Sequence, residues 1–112
     1  MVEESVLNLI QNYLALLNQE GIHASQAILF GSHAQGLGHP HSDIDLVVIA
    51  GDFDRNRNRE LVERLWILSA RTDARFEPIA CGEREWVEDD SRAVLEIARR
   101  EGVSIPYLPR AA

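Results

Sequence analysis

Asp43 and Asp45 stand two positions apart at the opening of an apolar run, Ser-Asp-Ile-Asp-Leu-Val-Val-Ile-Ala over residues 42–50. In a strand, positions i and i+2 share a face, so the two carboxylates project side by side. Ionised carboxylates are costly to bury without a cationic partner. No Lys or Arg lies within ten residues of Asp43 in either direction. A metal ion is therefore the natural partner. Oxygen ligands beside a glycine-rich turn suit Mg2+ carrying a phosphorylated substrate.

Upstream, Gly31-Ser32 closes a short apolar stretch at residues 27–30. Gly31 lets the backbone approach a phosphate closely, and Ser32 can donate its hydroxyl to a phosphate oxygen. A short helix is expected to follow, whose first N–H groups would make an anion site. Read alone, Gly-Ser is a plain turn with Ser as a helix cap. Its distance from Asp-Ile-Asp favours the phosphate reading. His33, His39 and His41 crowd the same loop, but their spacing matches no zinc signature. Contact of His33 or His41 with a phosphate is the better use for them.

These residues need elements to hold them. Residues 3–20 read as a helix, with Val6, Leu9, Ile10, Tyr13, Leu14 and Leu17 at helical spacing and Gly21 as the stop. Residues 27–30 are the first strand and 42–50 the second. The second is apolar on both faces beyond Asp45, so it is central and covered on both sides. Residues 51–59, GDFDRNRNR, read as a solvated loop, with Arg55, Arg57 and Arg59 as a minor candidate for a phosphate patch. Residues 60–70 form an amphipathic helix with Trp66 inward. Residues 75–80 are a third strand in which Glu77 is an acid among apolar neighbours and Pro78 marks an edge or irregular position. Glu77 is either catalytic or an exposed acid paired with Arg75 or another surface charge. Residues 83–90 are a charged bridge anchored by Trp86. A last helix runs to Glu101 with Val94, Leu95, Ile97 and Ala98 inward, and residues 103–107 alternate as a final strand.

Composition narrows the function. The chain has 112 residues, 46% hydrophobic, with a net charge of −7. That length is one domain, residues 1–112. The acidic balance argues against a non-specific grip on nucleic acid, which needs clustered cations. All eleven basic residues are Arg, so lysine chemistry is excluded and Arg is the fixed cation for a phosphate. No apolar run reaches membrane-spanning length, and the acidic start MVEESV does not read as a signal peptide. The single cysteine, Cys81, reads as a buried, inert thiol. A cytoplasmic location is the expectation.

Gly31-Ser32-His33-Ala34-Gln35-Gly36, ten residues from Ser32 to Asp43, and Ser42-Asp43-Ile44-Asp45-Leu46 together resemble the signature of nucleotidyltransferases with the DNA polymerase β-like fold. They look most like its minimal nucleotidyltransferase branch. Phe76-Glu77-Pro78-Ile79 and Glu85-Trp86 extend the resemblance over most of the chain. It implies an α/β (α+β) fold, a small mixed sheet of three to four strands flanked by helices. It implies transfer of a nucleotide, AMP from ATP, to a hydroxyl. Asp43, Asp45 and Glu77 would be the catalytic set and the ligands of two Mg2+ ions. Gly31, Ser32, Gly36 and Ser42 would bind the nucleotide. Gln35 departs from the Arg common at that position, and Glu77 from the more usual Asp. The branch is often paired with a HEPN-type toxin, and some members are antitoxins that adenylylate that partner. The alternatives are transfer to a small hydroxylated molecule such as an antibiotic, where a homo-oligomer could supply the missing wall, or a non-catalytic module that binds and occludes a partner.

Overall fold

The computed structural model describes residues 2–55 and 58–109. Helix α1 (Glu4–Gln19) leads to strand β1 (Ala24–Phe30), then β2 (Ile44–Ala50). A short helix α2 (Asp52–Arg55) and the longer α3 (Arg59–Thr72) precede β3 (Phe76–Cys81). Helices α4 (Glu83–Glu88) and α5 (Ala93–Glu101) lead to β4 (Val103–Pro106). The strands form one mixed sheet in the order β3-β2-β1-β4. β2 runs antiparallel to β1 and parallel to β3, and β4 is antiparallel to β1. This is the expected α/β fold, with four strands and β2 inside the sheet. Pro78 sits on the edge strand β3, where its missing N–H costs no ladder bond.

Side-chain alternation divides the sheet into two faces. Leu29, Ile44, Leu46, Val48, Phe76 and Ile105 join the buried cluster that contains Ile10, Tyr13, Leu14 and Leu17 of α1 and Leu65 and Leu68 of α3. The Tyr13 ring stacks on Phe76 at 5.0 Å between centroids, and its hydroxyl donates to the Leu65 carbonyl at 2.8 Å. Burial alone would strand that hydroxyl, so the bond fixes where α1 meets α3. The opposite face carries Ile28, Phe30, Val47, Ile49 and Cys81 against Leu95 and Ala98 of α5. Trp86 packs beside this cluster, as expected of an anchor, with the Arg99 guanidinium 4.8 Å from its ring.

Four local expectations are corrected. Residues 32–36 form turns rather than a short helix. Gly36 takes φ +73° there, which ends any helical continuation. The charged bridge contains a helix, α4, because Asp54 accepts from the Arg84 and Glu85 N–H groups at 3.1 and 3.3 Å and caps it from outside. Asp54 itself lies in α2, inside the stretch expected to be a loop; Arg57 lies outside the described residues. Trp66 and Ile97 are 43% and 44% exposed, so neither is a core residue. The single-domain reading of residues 1–112 stays an expectation.

Candidate active site

β2 and β3 both begin at one end of the sheet, and β1 ends there. Parallel pairing sets Asp45 against Glu77, and antiparallel pairing sets it against Phe30. Directly paired residues share a face, so Phe30, Asp45 and Glu77 form one row on the α5 side. The strand expected from residue 42 begins at Ile44, so Asp43 stands just before it, close enough for its charge to act on Asp45. The next row inward, Ile28, Val47 and Ile79, belongs to the apolar cluster under α5. The acids therefore occupy the rim where the helical cover ends. Asp43 is exposed, while Asp45 and Glu77 are half-buried.

The chemistry of the rim lies in what does not neutralise it. Among the described residues, none of the three carboxylates has a salt bridge or a side-chain hydrogen bond. Arg75, the candidate partner for Glu77, is instead held by Asp73, with Nε to Oδ1 at 2.9 Å and Nη2 to Oδ2 at 3.0 Å. Burial, and then the neighbouring Asp43 charge, push the Asp45 carboxyl above its ordinary value; His33 opposes part of that shift. Two adjacent acids with no cation are a donor set suited to a divalent ion. Among the described residues, no three His, Cys, Asp or Glu side chains are gathered closely enough to hold a metal ion, so Asp43, Asp45 and Glu77 are not brought together as a three-acid set. Mg2+ does not require one, since it binds through one or two carboxylates and substrate phosphates.

Gly31 completes the approach. Its φ is +77°, and a Cβ placed on it would collide with Asp45 Oδ2. The chain thus passes directly over the carboxylate, at a distance and a backbone angle only glycine allows. Ser32 then accepts the Gln35 and Leu37 N–H groups at its carbonyl, 3.2 and 2.9 Å. Its hydroxyl has no hydrogen bond among the described residues. The N–H groups of Ser32, His33 and Ala34 are likewise without acceptors there, so the turn offers the anion nest that the expected helix would have supplied. Gly36 is exposed in this turn. Ser42 is used inside the loop: its hydroxyl accepts the His39 N–H at 3.0 Å and its own N–H donates to the His39 carbonyl at 2.9 Å.

Sequence reasoning offered His33 as a phosphate contact but missed that its side chain is buried within the loop. The residue is 6% exposed, and its Nε2–H donates to the Ser42 carbonyl at 3.2 Å. Its burial in a loop of Gly, Pro and polar residues carried no periodic signal. Cys81 is buried as expected, and its thiol is pushed up to about 12 by burial and the Glu85 charge, which leaves it unreactive.

Residues 12–93, more than half of the chain, match the family described as nucleotidyltransferase domain. The chain belongs to the nucleotidyltransferase-domain family. Solved structures agree in fold. A candidate nucleotidyltransferase from Sulfolobus solfataricus superposes with a TM-score of 0.56 at 17% identity, over 88% of this chain and 77% of that one. A toxin–antitoxin with AMP-PNP gives 0.60 at 22% identity, and a mutant of the toxin–antitoxin MntA-HpeT gives 0.58 at 19%. Each of these two matches covers 88% of this chain and 73% of the other. No curated protein matches the chain. Among the described residues, no helix is long and apolar enough to cross a membrane.

Proposed function

We propose that the protein is a Mg2+-dependent nucleotidyltransferase that moves AMP from ATP onto a hydroxyl of a protein acceptor. The observation that carries this reading is the uncompensated Asp43–Asp45 pair under Gly31, in a chain of the nucleotidyltransferase-domain family. Asp43 and Asp45, with Glu77, would hold two Mg2+ ions, which supply charge neutralisation to the triphosphate. The chain's own part is positioning, which dominates such reactions. The free N–H groups of residues 32–34 and the Ser32 hydroxyl donate to the β- and γ-phosphate oxygens. Gly31 brings that backbone close enough to do so. The acceptor hydroxyl attacks the α-phosphorus, the new O–P bond forms, and the bond to pyrophosphate breaks. The departing hydroxyl proton passes to Glu77, whose strand places it beside Asp45. With Gln35 in the loop, no guanidinium is supplied from that position.

The preferred acceptor is a HEPN-type toxin, which would make this chain the antitoxin of a toxin–antitoxin pair. Support comes from the sequence resemblance and from the toxin–antitoxin assemblies among the fold neighbours. A specific observation also favours the reading of a binding module that occludes its partner. Trp66 and Ile67 stand 43% and 56% exposed, and with Val62 they line an open groove on α3.

The deciding experiment is incubation with Mg2+ and each of the four α-labelled NTPs, with and without the toxin, followed by intact mass of both proteins. An AMP mass on the toxin, lost in Asp45→Asn, is expected. A stable complex without transfer, surviving Asp45→Ala with full neutralisation, would replace catalysis with occlusion.

A further inference from the structure

The loop between β1 and β2 is tied down at two carbonyls. Arg75 Nη1 donates to the Pro40 carbonyl at 3.2 Å, and His33 Nε2–H donates to the Ser42 carbonyl at 3.2 Å. Arg75 is itself clamped by Asp73, and its own carbonyl accepts the Ile44 N–H at 2.8 Å. The two ties differ in what they hold. Arg75 holds the middle of the loop and the first residue of β2. His33 holds the peptide immediately before Asp43. A carbonyl can only accept, so the bond requires the proton on Nε2 and leaves Nδ1 bare in the neutral ring.

Two further observations show that the site is built around this ring. Gly38 lies flat against it: a Cβ there would collide with His33 Nδ1, Cε1 and Cγ. Behind the ring lies a cleft of about 330 Å³, lined by Glu3, Val6, Gly38, Pro40 and Arg75 as well as His33. Removing the imidazole would enlarge that cleft and leave the Ser42 carbonyl without its donor.

The geometry points to His33 as the positioning residue of the acidic pair: it fixes the Ser42–Asp43 peptide and so sets where the Asp43 carboxylate stands relative to Asp45. This rests on the nucleotidyl-transfer reading for its consequence, but not for its geometry. The His33 side chain touches neither nucleotide nor acceptor in this scheme. It acts through Asp43, as an outer partner orients a ligand. Gln, whose amide nitrogen can occupy the Nε2 position, should replace it; Ala should not.

The test uses the whole chain. Long-range proton–nitrogen spectra of the His33 ring should show a protonated Nε2; a bare Nε2, with the ring proton on Nδ1, overturns the proposal. Mn2+ affinity in the presence of ATP, read from the free-ion paramagnetic resonance signal, should weaken about 10–100-fold in His33→Ala, the range for outer-shell partners of metal sites. Gly38→Ala, which displaces the ring without removing it, should do the same, and His33→Gln should recover to within a few-fold of the unaltered protein. Unchanged Mn2+ affinity in His33→Ala, or a fall in melting temperature with affinity preserved, would show a merely structural role and overturn the inference. If the unaltered protein binds no Mn2+, the nucleotidyl-transfer reading falls. The residual dipolar coupling of the Asp43 amide, on the peptide that His33 holds, then decides the positioning claim separately: a change in His33→Ala upholds it, and an unchanged coupling overturns it.

Discussion

Asp73 and Asp45 lie at the same end of the sheet and are treated in opposite ways. Asp73 grips Arg75 through both carboxylate oxygens and also accepts the Arg75 N–H at 2.9 Å. Hydrogen bonding to Arg75 holds its carboxyl below the ordinary range, against some cost of burial. Asp45 has no cation among the described residues, and burial with the Asp43 charge holds its carboxyl above that range. The first acid is spent on the fold and the second is left without a salt bridge beside a backbone nest. A satisfied charge builds structure; an unsatisfied one is available to bind.

The comparison breaks most sharply through activity. Asp45→Asn or Asp43→Asn should abolish nucleotidyl transfer while circular dichroism shows an intact fold. Asp73→Asn should leave transfer standing in the same assay. Retained transfer in either of the first two variants would remove the metal assignment.

Next in size is the core that neither acid touches. Leu14 is fully buried against the α1 side of the sheet. Leu14→Ala should lower stability by about 2–5 kcal/mol in urea denaturation, the usual cost of a large buried deletion. Transfer per folded molecule should be unchanged.

Stability as a function of pH should separate the two acids by sign. Asp73 is depressed in the fold, so its contribution is present above the ordinary carboxylate range and is lost as pH falls through its folded value. Asp73→Asn should therefore cost about 1 kcal/mol or less at neutral pH, as partly exposed pairs do, and nothing at strongly acid pH. Asp45 is raised, so the unfolded chain ionises first as pH climbs, and the fold is penalised from there upward. Asp45→Asn should melt above the unaltered protein at neutral pH without Mg2+, and the gap should close as pH falls. Thermal melts at both pH values with the divalent ion chelated check both signs. A shared sign would show that the two acids are not opposites.

The smallest effect concerns the thiol buried on the α5 side of the sheet. Because burial keeps Cys81 protonated at neutral pH, alkylation should be slow in the native state and fast after unfolding. A mass-spectrometric time course with iodoacetamide would show it.

Much of this was legible in the chain. The two-residue spacing of Asp43 and Asp45 marked the head of β2 as acidic, although the strand starts at Ile44 and the β period therefore governs Asp45 but not Asp43. The long apolar periodicity of α1 and the double-sided apolarity of β2 likewise gave cover and centre. Glu77 stood out as an acid among apolar neighbours. The turn at residues 32–36 did not read correctly, because local residue types allow a helix start or an anion nest and the glycine angles decide between them. Helix α4 read as a bridge because its cap, Asp54, comes from thirty residues upstream in the chain. Trp66 read as core because helical spacing identifies an apolar stripe but not how much of it another element covers.

The sequence by itself determined which residues could do chemistry: an Asp-x-Asp at a strand head, a Gly-Ser turn before it, no lysine anywhere, and a third acid among apolar neighbours. Only the tertiary structure decided what those residues meet. It set Glu77 opposite Asp45 through parallel pairing of strands more than thirty residues apart. It spent Arg75 on Asp73, laid Gly31 over the Asp45 carboxylate, and buried His33 beneath the peptide that carries Asp43. Side-chain direction is fixed by local backbone geometry, whereas neutralisation and support depend on which distant groups the fold brings within a few ångströms.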